Sequence, residues 1–179
     1  MHERRYAAPV ERLRFPERVE RMEIPRVVDL CLEGILADSV VDIGTGSGLF
    51  AEEFQKRGLA VTGIDPNLEM LDAAKGFVPN ADFRPGTVEA IPFHDKSFDL
   101  VFLGHVLHES DDLRQALSEI KRCAKTRVAA LEWPYQQEEI GPPYDHRLDP
   151  AVVQQIARET GFVSVEVIQL SRMILYRFS

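Results

Sequence analysis

The sequence predicts an α/β domain with a mostly parallel sheet. Strand-like and helix-like segments alternate along the chain, and a short apolar strand runs into a glycine-rich turn that opens a helix. Such alternation is typical of parallel strands joined by crossover helices. The chain has 179 residues, and one domain takes about 100–200 residues. We therefore expect a single domain over residues 1–179.

The composition is that of a globular protein and disfavours two kinds of partner. Hydrophobic residues make up 45% of the chain and charged residues 28%, which excludes wholesale disorder. The net charge of −8 disfavours nucleic acid, because binding to a phosphate backbone needs basic surface. The longest apolar runs have four residues. A transmembrane helix needs about 20, so we expect no membrane span.

The cysteines and the N-terminus indicate a cytoplasmic protein. Cys31 and Cys123 belong to no CxxC motif, so we expect buried thiols in a reducing compartment, with a disulfide or metal role as the alternative. No apolar segment follows the first residues, so we expect no signal peptide. Residues 1–26 carry seven arginines against five glutamates. This is typical of a solvated helical face or, alternatively, of a lid that attracts an acidic substrate.

Hydrophobic periodicity and turn residues define the individual elements. Strands are predicted at residues 39–43, 59–64, 81–84, 98–103, 128–133, 162–170 and 173–178. Helices are predicted at residues 26–36, 49–57, 67–75, 111–124 and 150–160. We expect Ser110 to cap the fourth helix, and the last two strands to form an antiparallel hairpin because so few residues separate them. Residues 134–148 form the one long loop, and loops of that length are often functional.

The strongest motif follows the first strand, where Asp42-Ile43-Gly44-Thr45-Gly46-Ser47-Gly48 leads into a helix. Glycine lets the backbone approach a ligand closely, and a helix N-terminus offers free N–H donors. A dinucleotide fingerprint needs G-x-G-x-x-G, but these glycines follow a G-x-G-x-G pattern and Leu49 stands at the last position. Asp42 would repel a pyrophosphate and suits a ligand that carries an ammonium group.

A second acid completes a nucleoside-binding pattern. Asp65 ends the second strand, and an acid about 20 residues past a glycine turn can bind both hydroxyls of a ribose. The glycine turn and Asp65 together predict a nucleoside pocket.

Four segments resemble the class I S-adenosylmethionine-dependent methyltransferases, most closely their type 11, ubiquinone-biosynthesis-like branch. They are the glycine turn, Gly63-Ile64-Asp65 with Glu69-Met70-Leu71, Glu89-Ala90-Ile91-Pro92-Phe93, and Ser97-Phe98-Asp99-Leu100-Val101. The resemblance covers nearly the whole chain. It implies a Rossmann-like, doubly wound sheet of seven strands in the order 3-2-1-4-5-7-6, with the last strand antiparallel. It also implies an N-terminal helical lid over residues 1–24.

The same resemblance implies S-adenosyl-L-methionine as cofactor and a set of residues that bind it. Asp42 and the glycine turn would face the methionine end, Asp65 the ribose and Pro66 the adenine. The implied cofactor-binding residues are Asp42, Gly44, Thr45, Gly46, Gly48, Asp65, Pro66, Met70, Thr87, Val88, Gly104 and His105. Tyr6 could reach the cofactor carboxylate if the N-terminal segment folds over the site; the alternative is a helix that serves only packing.

Two positions depart from the family pattern. Where this chain has Thr87, the family usually has an aspartate that accepts from the adenine amino group. Adenine recognition would then rest more on the backbone at Val88. Lys125 is followed directly by Thr126 where the family has Lys-Pro-Gly-Gly, a shortening with little expected effect on the pocket.

His105, His108 and His146 are the candidate catalytic residues. Imidazole titrates near neutral pH, and His105 and His108 follow the fourth strand at the edge where α/β sheets bind ligands. A general base is needed only if the acceptor must lose a proton; a structural or cofactor-contacting histidine is the alternative. The spacing HxxHE is not that of zinc proteases, so we expect no metal. Tyr144 and His146 could shape the acceptor site, or their loop could be a proline-stiffened connection.

The sequence thus predicts methyl transfer from S-adenosylmethionine to a small-molecule acceptor by a monomer or homodimer. The alternatives are a non-catalytic S-adenosylmethionine-binding protein and, less favoured, an NAD-dependent oxidoreductase. We also expect residues 6–22 to become ordered over bound cofactor. This charge-rich segment has few apolar anchors to offset its ordering entropy, and a ligand beneath it would supply contacts.

Overall fold

The computed structural model describes residues 9–179 and shows a seven-stranded sheet flanked by helices. The strands are β1 (Ser39–Ile43), β2 (Ala60–Asp65), β3 (Asp82–Pro85), β4 (Phe98–Gly104), β5 (Ala124–Glu132), β6 (Val165–Gln169) and β7 (Ile174–Phe178). The helices are α1 (Pro16–Arg21), α2 (Ile24–Leu32), α3 (Leu49–Lys56), α4 (Leu68–Phe77), α5 (Leu113–Cys123) and α6 (Pro150–Glu159). The strand order is β3-β2-β1-β4-β5-β7-β6, and only β7 runs antiparallel to its neighbours. The predicted fold class, strand order and terminal hairpin are confirmed.

Alternate residues of the central strands face two separate hydrophobic cores. In β4, Phe102 packs against α2 and α3, whereas Val101 packs with α5 and α6. Successive side chains of a strand point to opposite faces, so a sheet covered on both faces needs strands that are apolar throughout. Cys31 and Cys123 are free thiols, one buried in each core. None of the helices within residues 9–179 is both long and apolar enough to cross a bilayer.

The start of α5 differs from the prediction. Asp112 caps this helix by accepting a hydrogen bond from the backbone N–H of Gln115 (3.0 Å). The Ser110 hydroxyl instead donates to the carbonyl of Leu107 (2.7 Å) and closes a 3-10 turn over Leu107–Glu109. Ser110 therefore shapes the segment after β4 rather than the helix.

The observed bounds of three other elements differ from the predicted ones. α5 passes into β5 without a turn, so β5 begins at residue 124 rather than 128. α2 begins and ends earlier than the predicted helix over residues 26–36. β6 is shorter than the predicted strand because Phe162 leaves the sheet and packs in the core beside Phe178.

The described part of the N-terminal segment lies over the glycine turn. A 3-10 turn (Val10–Arg14) precedes α1. The Arg14 guanidinium donates to the carbonyl of Ser47 (2.9 Å) and to the Glu52 carboxylate (3.0 Å), and it lies over the Phe77 ring. These contacts place α1 above the carboxyl edge of the sheet. The predicted contact of Tyr6 falls outside the described residues.

Asp99 fastens the start of β1 to β4. One of its carboxylate oxygens accepts from the backbone N–H groups of Asp38 (3.1 Å) and Ser39 (3.0 Å) and from the Ser39 hydroxyl (2.7 Å). The Ser39 hydroxyl, the Asp38 amide and nearby Lys125 lower the pKa of Asp99 to about 2, against the opposing effect of burial. A carboxyl whose pKa falls on folding stabilises the folded state above its unfolded pKa of about 3.9. That contribution is lost as the pH falls through the folded-state pKa.

We expect Asp99→Asn to lower the free energy of unfolding by about 1–3 kcal/mol near pH 7, the usual cost of losing hydrogen bonds to a charged acceptor. The deficit in unfolding free energy should narrow below about pH 4, where Asp99 of the unfolded wild-type chain becomes protonated, and narrow further as the pH falls toward the folded-state pKa of about 2. Urea unfolding at a series of pH values measures both effects. Asp38→Asn is the matched control, because the exposed Asp38 side chain has no hydrogen-bond partner among residues 9–179. An equal loss of unfolding free energy in Asp38→Asn, or a deficit in Asp99→Asn that does not change with pH, would contradict the stabilising role of the Asp99 carboxylate.

Candidate functional site

A cavity of about 870 Å³ opens at the carboxyl edge of the sheet, beyond the ends of β1, β2, β4 and β5. Open α/β sheets bind their ligands at this edge. Most residues that the sequence singled out line the cavity: Gly44, Gly46, Asp65, Pro66, Met70, Thr87, Val88, Gly104, His105, His108 and His146. Asp42, Thr45 and Gly48 do not line it.

Asp42 lies beneath the glycine turn rather than facing the cavity. It is 2% exposed, and its carboxylate accepts from the Thr45 hydroxyl (2.8 Å) and from the backbone N–H of Ala51 in α3. Burial raises the pKa of Asp42 to about 7, although both hydrogen bonds oppose the shift. Gly48 lies directly before α3 with a positive φ of 77°. These residues hold the turn against the start of α3. The Asp42 carboxylate does not line the cavity, and its contact with an ammonium group stays a prediction.

Gly44 and Gly46 occupy positions where only glycine fits without rearrangement. Their φ values are 65° and 53°, in the left-handed region that side chains disfavour. A Cβ on Gly44 would lie 2.3 Å from Cγ2 of Val106, and one on Gly46 would lie 2.9 Å from Cδ1 of Leu13. The backbone of the turn is therefore packed between the segment after β4 and the N-terminal segment.

Asp65 ties the glycine turn to the turn that follows β2. One carboxylate oxygen accepts from the backbone N–H of Gly46 (3.0 Å), and the other accepts from that of Asn67 (2.9 Å). Asp65 is 8% exposed, and burial raises its pKa against the effect of these two bonds. Pro66, Leu68, Met70 and Val88 give this part of the cavity apolar lining, and Asn67 and Thr87 give it polar lining. A carboxylate with apolar surface in the same part of a cavity can bind hydroxyl groups next to a flat ring.

Thr87 and Val88 lie in a short turn on the same side of the cavity. The carbonyl of Thr87 accepts from the backbone N–H of Ala90 (3.2 Å), and Val88 is 5% exposed. The next residue, Glu89, accepts from the backbone N–H of Asp111 (2.9 Å). This bond joins the turn to the segment before α5.

His105 is enclosed by apolar and sulfur-containing side chains. It adopts a left-handed backbone conformation (φ 62°) directly after β4, and its backbone N–H donates to the carbonyl of Leu131 (2.8 Å). Its ring stacks on Trp133, with centroids 5.0 Å apart, and Nε2 lies 3.3 Å from the sulfur of Met173. Burial lowers the pKa of His105 well below its ordinary value, and Arg18 adds to this effect. His105 is therefore neutral near pH 7.

His108 has the opposite electrostatic environment because a buried carboxylate contacts it. Its Nδ1 lies 2.7 Å from Oε2 of Glu132, which is 1% exposed at the end of β5. The other Glu132 oxygen accepts from the backbone N–H of Leu107 (2.8 Å). Burial alone would lower the pKa of His108, but the charge and hydrogen bond of Glu132 and the charge of Glu109 outweigh it, so the pKa is raised.

Arg147 organises the long loop that closes one side of the cavity. Its buried guanidinium donates to the carbonyls of Pro134 (3.0 Å), Ile140 (2.7 Å) and Pro142 (3.1 Å) and to the Glu138 carboxylate (2.7 Å). Carbonyls that would otherwise be unpaired in a loop are thereby satisfied. The loop presents Ile140, Gly141, Pro142, Pro143 and His146 to the cavity.

Tyr144 does not line the cavity. It is 42% exposed and stacks on Tyr135, with ring centroids 4.8 Å apart. Of the two loop residues predicted to shape an acceptor site, only His146 reaches the cavity.

Sequence reasoning missed Glu132, Arg147 and the two cavity-lining arginines of α1, Arg18 and Arg21. Glu132 left a signal, because an acid at the carboxyl end of a buried apolar strand lies at the ligand-binding edge of the sheet. Arg18 and Arg21 were noted only as part of a charge-rich segment. Arg147 left no signal in the sequence, because its partners are mostly backbone carbonyls, which no sequence pattern marks.

The sequence and the fold match known proteins. The family model described as "Methyltransferase domain" matches residues 41–130. The demethylmenaquinone methyltransferase of Chlorobaculum tepidum is 38% identical over 95 residues, which are 52% of this chain and 39% of that protein. The uncharacterized methyltransferase YcgJ of Bacillus subtilis is 36% identical over 91 residues, 48% of this chain and 36% of that protein. These matches thus span well under half the length of both curated relatives.

A solved structure shares the fold over nearly the whole chain. The S-adenosylmethionine-dependent methyltransferase of Aquifex aeolicus superposes with a TM-score of 0.82 at 23% identity, covering 94% of this chain and 95% of that one. The residues matched by the family model extend from β1 through β5, so they include the glycine turn, Asp65 and the segment after β4. The chain belongs to the methyltransferase domain family.

Proposed function

We propose that this protein binds S-adenosylmethionine in the cavity and transfers its methyl group to a small-molecule acceptor. The observation that carries the proposal is the Asp65 carboxylate, which lies against the glycine turn and borders the cavity. Membership of the methyltransferase domain family supports it. The name of the Chlorobaculum relative denotes a small-molecule acceptor, which supports the acceptor class.

The residues present fit this cofactor. An ionised carboxylate offers about four lone-pair sites, and the N–H groups of Gly46 and Asn67 occupy two of them at Asp65. The remaining sites can accept from the two hydroxyls of a ribose. Pro66, Met70 and Val88 give an adenine ring apolar contacts beside that carboxylate. The cavity volume of about 870 Å³ is in the upper part of the range of roughly 300–1,000 Å³ for ligand pockets, which leaves room for an acceptor.

The chain's own contribution is binding, orientation and exclusion of water. S-adenosylmethionine supplies an electrophilic methyl group on a sulfonium. Asp65 holds the nucleoside end, while Gly104 and His105 border the part of the cavity where the methionine end would lie. Holding two reactants in line can contribute about 7–11 kcal/mol to lowering the barrier. Leu13, packed against the glycine turn, and Arg14, bonded to it, keep the N-terminal segment over the cavity and limit access of water.

We expect S-adenosylhomocysteine to raise the thermal unfolding midpoint and NAD to leave it unchanged. A ligand at about 100 times its Kd adds about 2.7 kcal/mol of stability, which is roughly 5–10 °C for a chain of this size. Differential scanning fluorimetry with matched concentrations of the two ligands measures the difference. A shift with NAD alone would contradict the proposal, as would no shift with either ligand.

We expect Asp65→Ala to weaken S-adenosylhomocysteine binding by about 1.5–3 kcal/mol, roughly tenfold to hundredfold in Kd, because charged hydrogen bonds to ribose are lost. The variant should also unfold at a lower temperature, since two backbone N–H groups lose their acceptor. The Kd is therefore measured by isothermal titration calorimetry at a temperature well below the thermal unfolding midpoints of the wild type and the variant. Asp72→Ala is the matched control, because Asp72 lies on the exposed side of α4 and Lys75 is its one ion-pair partner among residues 9–179. Unchanged affinity in Asp65→Ala would remove Asp65 from the site.

A further inference from the structure

Of the three cavity histidines, His108 is the one that a carboxylate orients. His105 contacts Trp133 and Met173, and burial keeps its pKa well below the ordinary value. The His146 ring has no hydrogen-bond partner within residues 9–179, so nothing in that range fixes its tautomer. His108 alone combines a position in the cavity with a short bond to a buried acid.

The contact with Glu132 fixes which nitrogen of His108 is free. Glu132 accepts from the backbone N–H of Leu107 through one oxygen and faces Nδ1 of His108 through the other. An ionised carboxylate only accepts, so Nδ1 carries the hydrogen of the neutral ring and Nε2 keeps a lone pair. Nε2 lies 4.0 Å from Glu109, beyond hydrogen-bond distance. Within residues 9–179 no group is hydrogen-bonded to Nε2, and His108 lines the cavity, so this lone pair can accept from a molecule bound there.

The charges around His108 favour protonation of this free nitrogen. Glu132 from β5 and Glu109 from its own turn stabilise an imidazolium, while Arg147 from the long loop opposes it. His105, the other titratable ring nearby, stays neutral and adds no charge. Tyr176 from β7 lies near Glu132 but is itself buried, and burial raises its pKa, so it stays protonated. A proton taken up at Nε2 is thus stabilised mainly by the Glu132 carboxylate.

The surfaces next to His108 suit a flat, weakly acidic acceptor. Trp133, Ile140, Pro142 and Pro143 line the cavity on the side of the long loop. Arg18 and Arg21 also line it and favour negative charge that develops on a bound molecule. A phenol has a pKa of about 10, within reach of an imidazole base. Aliphatic hydroxyls resemble water in acidity, so their pKa is far higher and they are much harder to deprotonate.

Building on the proposed function, we propose that His108 removes the proton from a phenol-type hydroxyl of the methyl acceptor and that Glu132 positions His108 for this step. The O–H bond breaks and its proton forms the Nε2–H bond of an imidazolium paired with Glu132. The oxygen keeps the electron pair and uses it to form the bond to the methyl carbon. The electron pair of the broken carbon–sulfur bond stays with sulfur, and the imidazolium later releases its proton to solvent.

The tautomer of His108 is the first test and needs no acceptor. In the wild type, ¹⁵N chemical shifts should show neutral His108 with hydrogen on Nδ1. In Glu132→Gln, the amide oxygen can keep the Leu107 N–H while the amide nitrogen faces Nδ1, so the hydrogen should move to Nε2. The pKa of His108 should also fall in this variant, since burial is then opposed by less negative charge. A wild-type spectrum with hydrogen on Nε2 overturns the proposal.

Two phenols of different acidity provide the second test. At about pH 8, 4-methylphenol is protonated, whereas 4-nitrophenol is largely phenolate and needs no base. His108→Gln should lower kcat for 4-methylphenol roughly 100- to 10,000-fold, with a much smaller loss for 4-nitrophenol. The affinity for S-adenosylhomocysteine should change little. His94→Gln, an exposed histidine outside the cavity, is the matched control and should leave both rates unchanged.

The outcomes separate this inference from the proposed function. If S-adenosylhomocysteine does not bind the wild type, the proposed function fails and this inference fails with it. If it binds but neither phenol is methylated, the proposed function stands and the phenol acceptor is wrong. Equal losses for both phenols in His108→Gln contradict a base role. If His108→Gln does not fold, the same comparison of phenols in Glu132→Gln decides the outcome.

Discussion

The hydrogen bonds of the Asp65 carboxylate are the contacts on which the geometry of the site depends. β1 and β2 are parallel neighbours, and each ends in a turn at the same edge of the sheet. Asp65 joins these turns by accepting one N–H from each. A buried carboxylate must have such partners, because an uncompensated charge there would cost several kcal/mol. The same bonds leave the carboxylate at the cavity surface with acceptor sites unused. Asp65 therefore holds the two turns together and borders the cavity in the position that the proposed ribose contact requires.

The geometry of the cavity near the end of β5 and the long loop depends on two other buried side chains, Glu132 and Arg147. Glu132 links the turn after β4 to the end of β5 through Leu107 and His108. Arg147 gathers the carbonyls of the long loop and holds that loop beside Trp133. Neither charge is isolated, since each is surrounded by groups of complementary polarity. In the proposed function, the nucleoside binds in the half of the cavity formed by the ends of β1 and β2, and the acceptor binds in the half formed by the end of β5 and the loop that follows it.

Much of the fold could be predicted because its signals are local. Apolar strands, glycine turns and amphipathic helices alternate in order, and the resemblance of a few motifs supplied the strand order. Asp42 was assigned to the ligand because it stands beside the glycines. It shares a strand face with Val40, however, and that face packs against α2 and α3. The alternation of side chains along β1 would have predicted that the Asp42 carboxylate points toward α3.

The pairing of His108 with Glu132 could not be predicted from local patterns. It requires β4 and β5 to be neighbours and the 3-10 turn after β4 to fold the histidine back toward β5. The Ser110 hydroxyl closes that turn. Serine is also a common helix cap, so its position directly before the predicted helix led to the wrong prediction. Likewise, the role of Arg147 depends on where three backbone carbonyls converge, and that position is a property of the folded loop alone.

The central claim is that one carboxylate both holds the glycine turn and binds the ribose of the cofactor. A crystal structure of the protein with S-adenosylhomocysteine tests it most directly. We expect both ribose hydroxyls within hydrogen-bond distance of the Asp65 carboxylate, with the bonds from Gly46 and Asn67 retained. A ribose bound elsewhere in the cavity, or an Asp65 side chain that leaves Gly46 in order to reach it, would contradict the account.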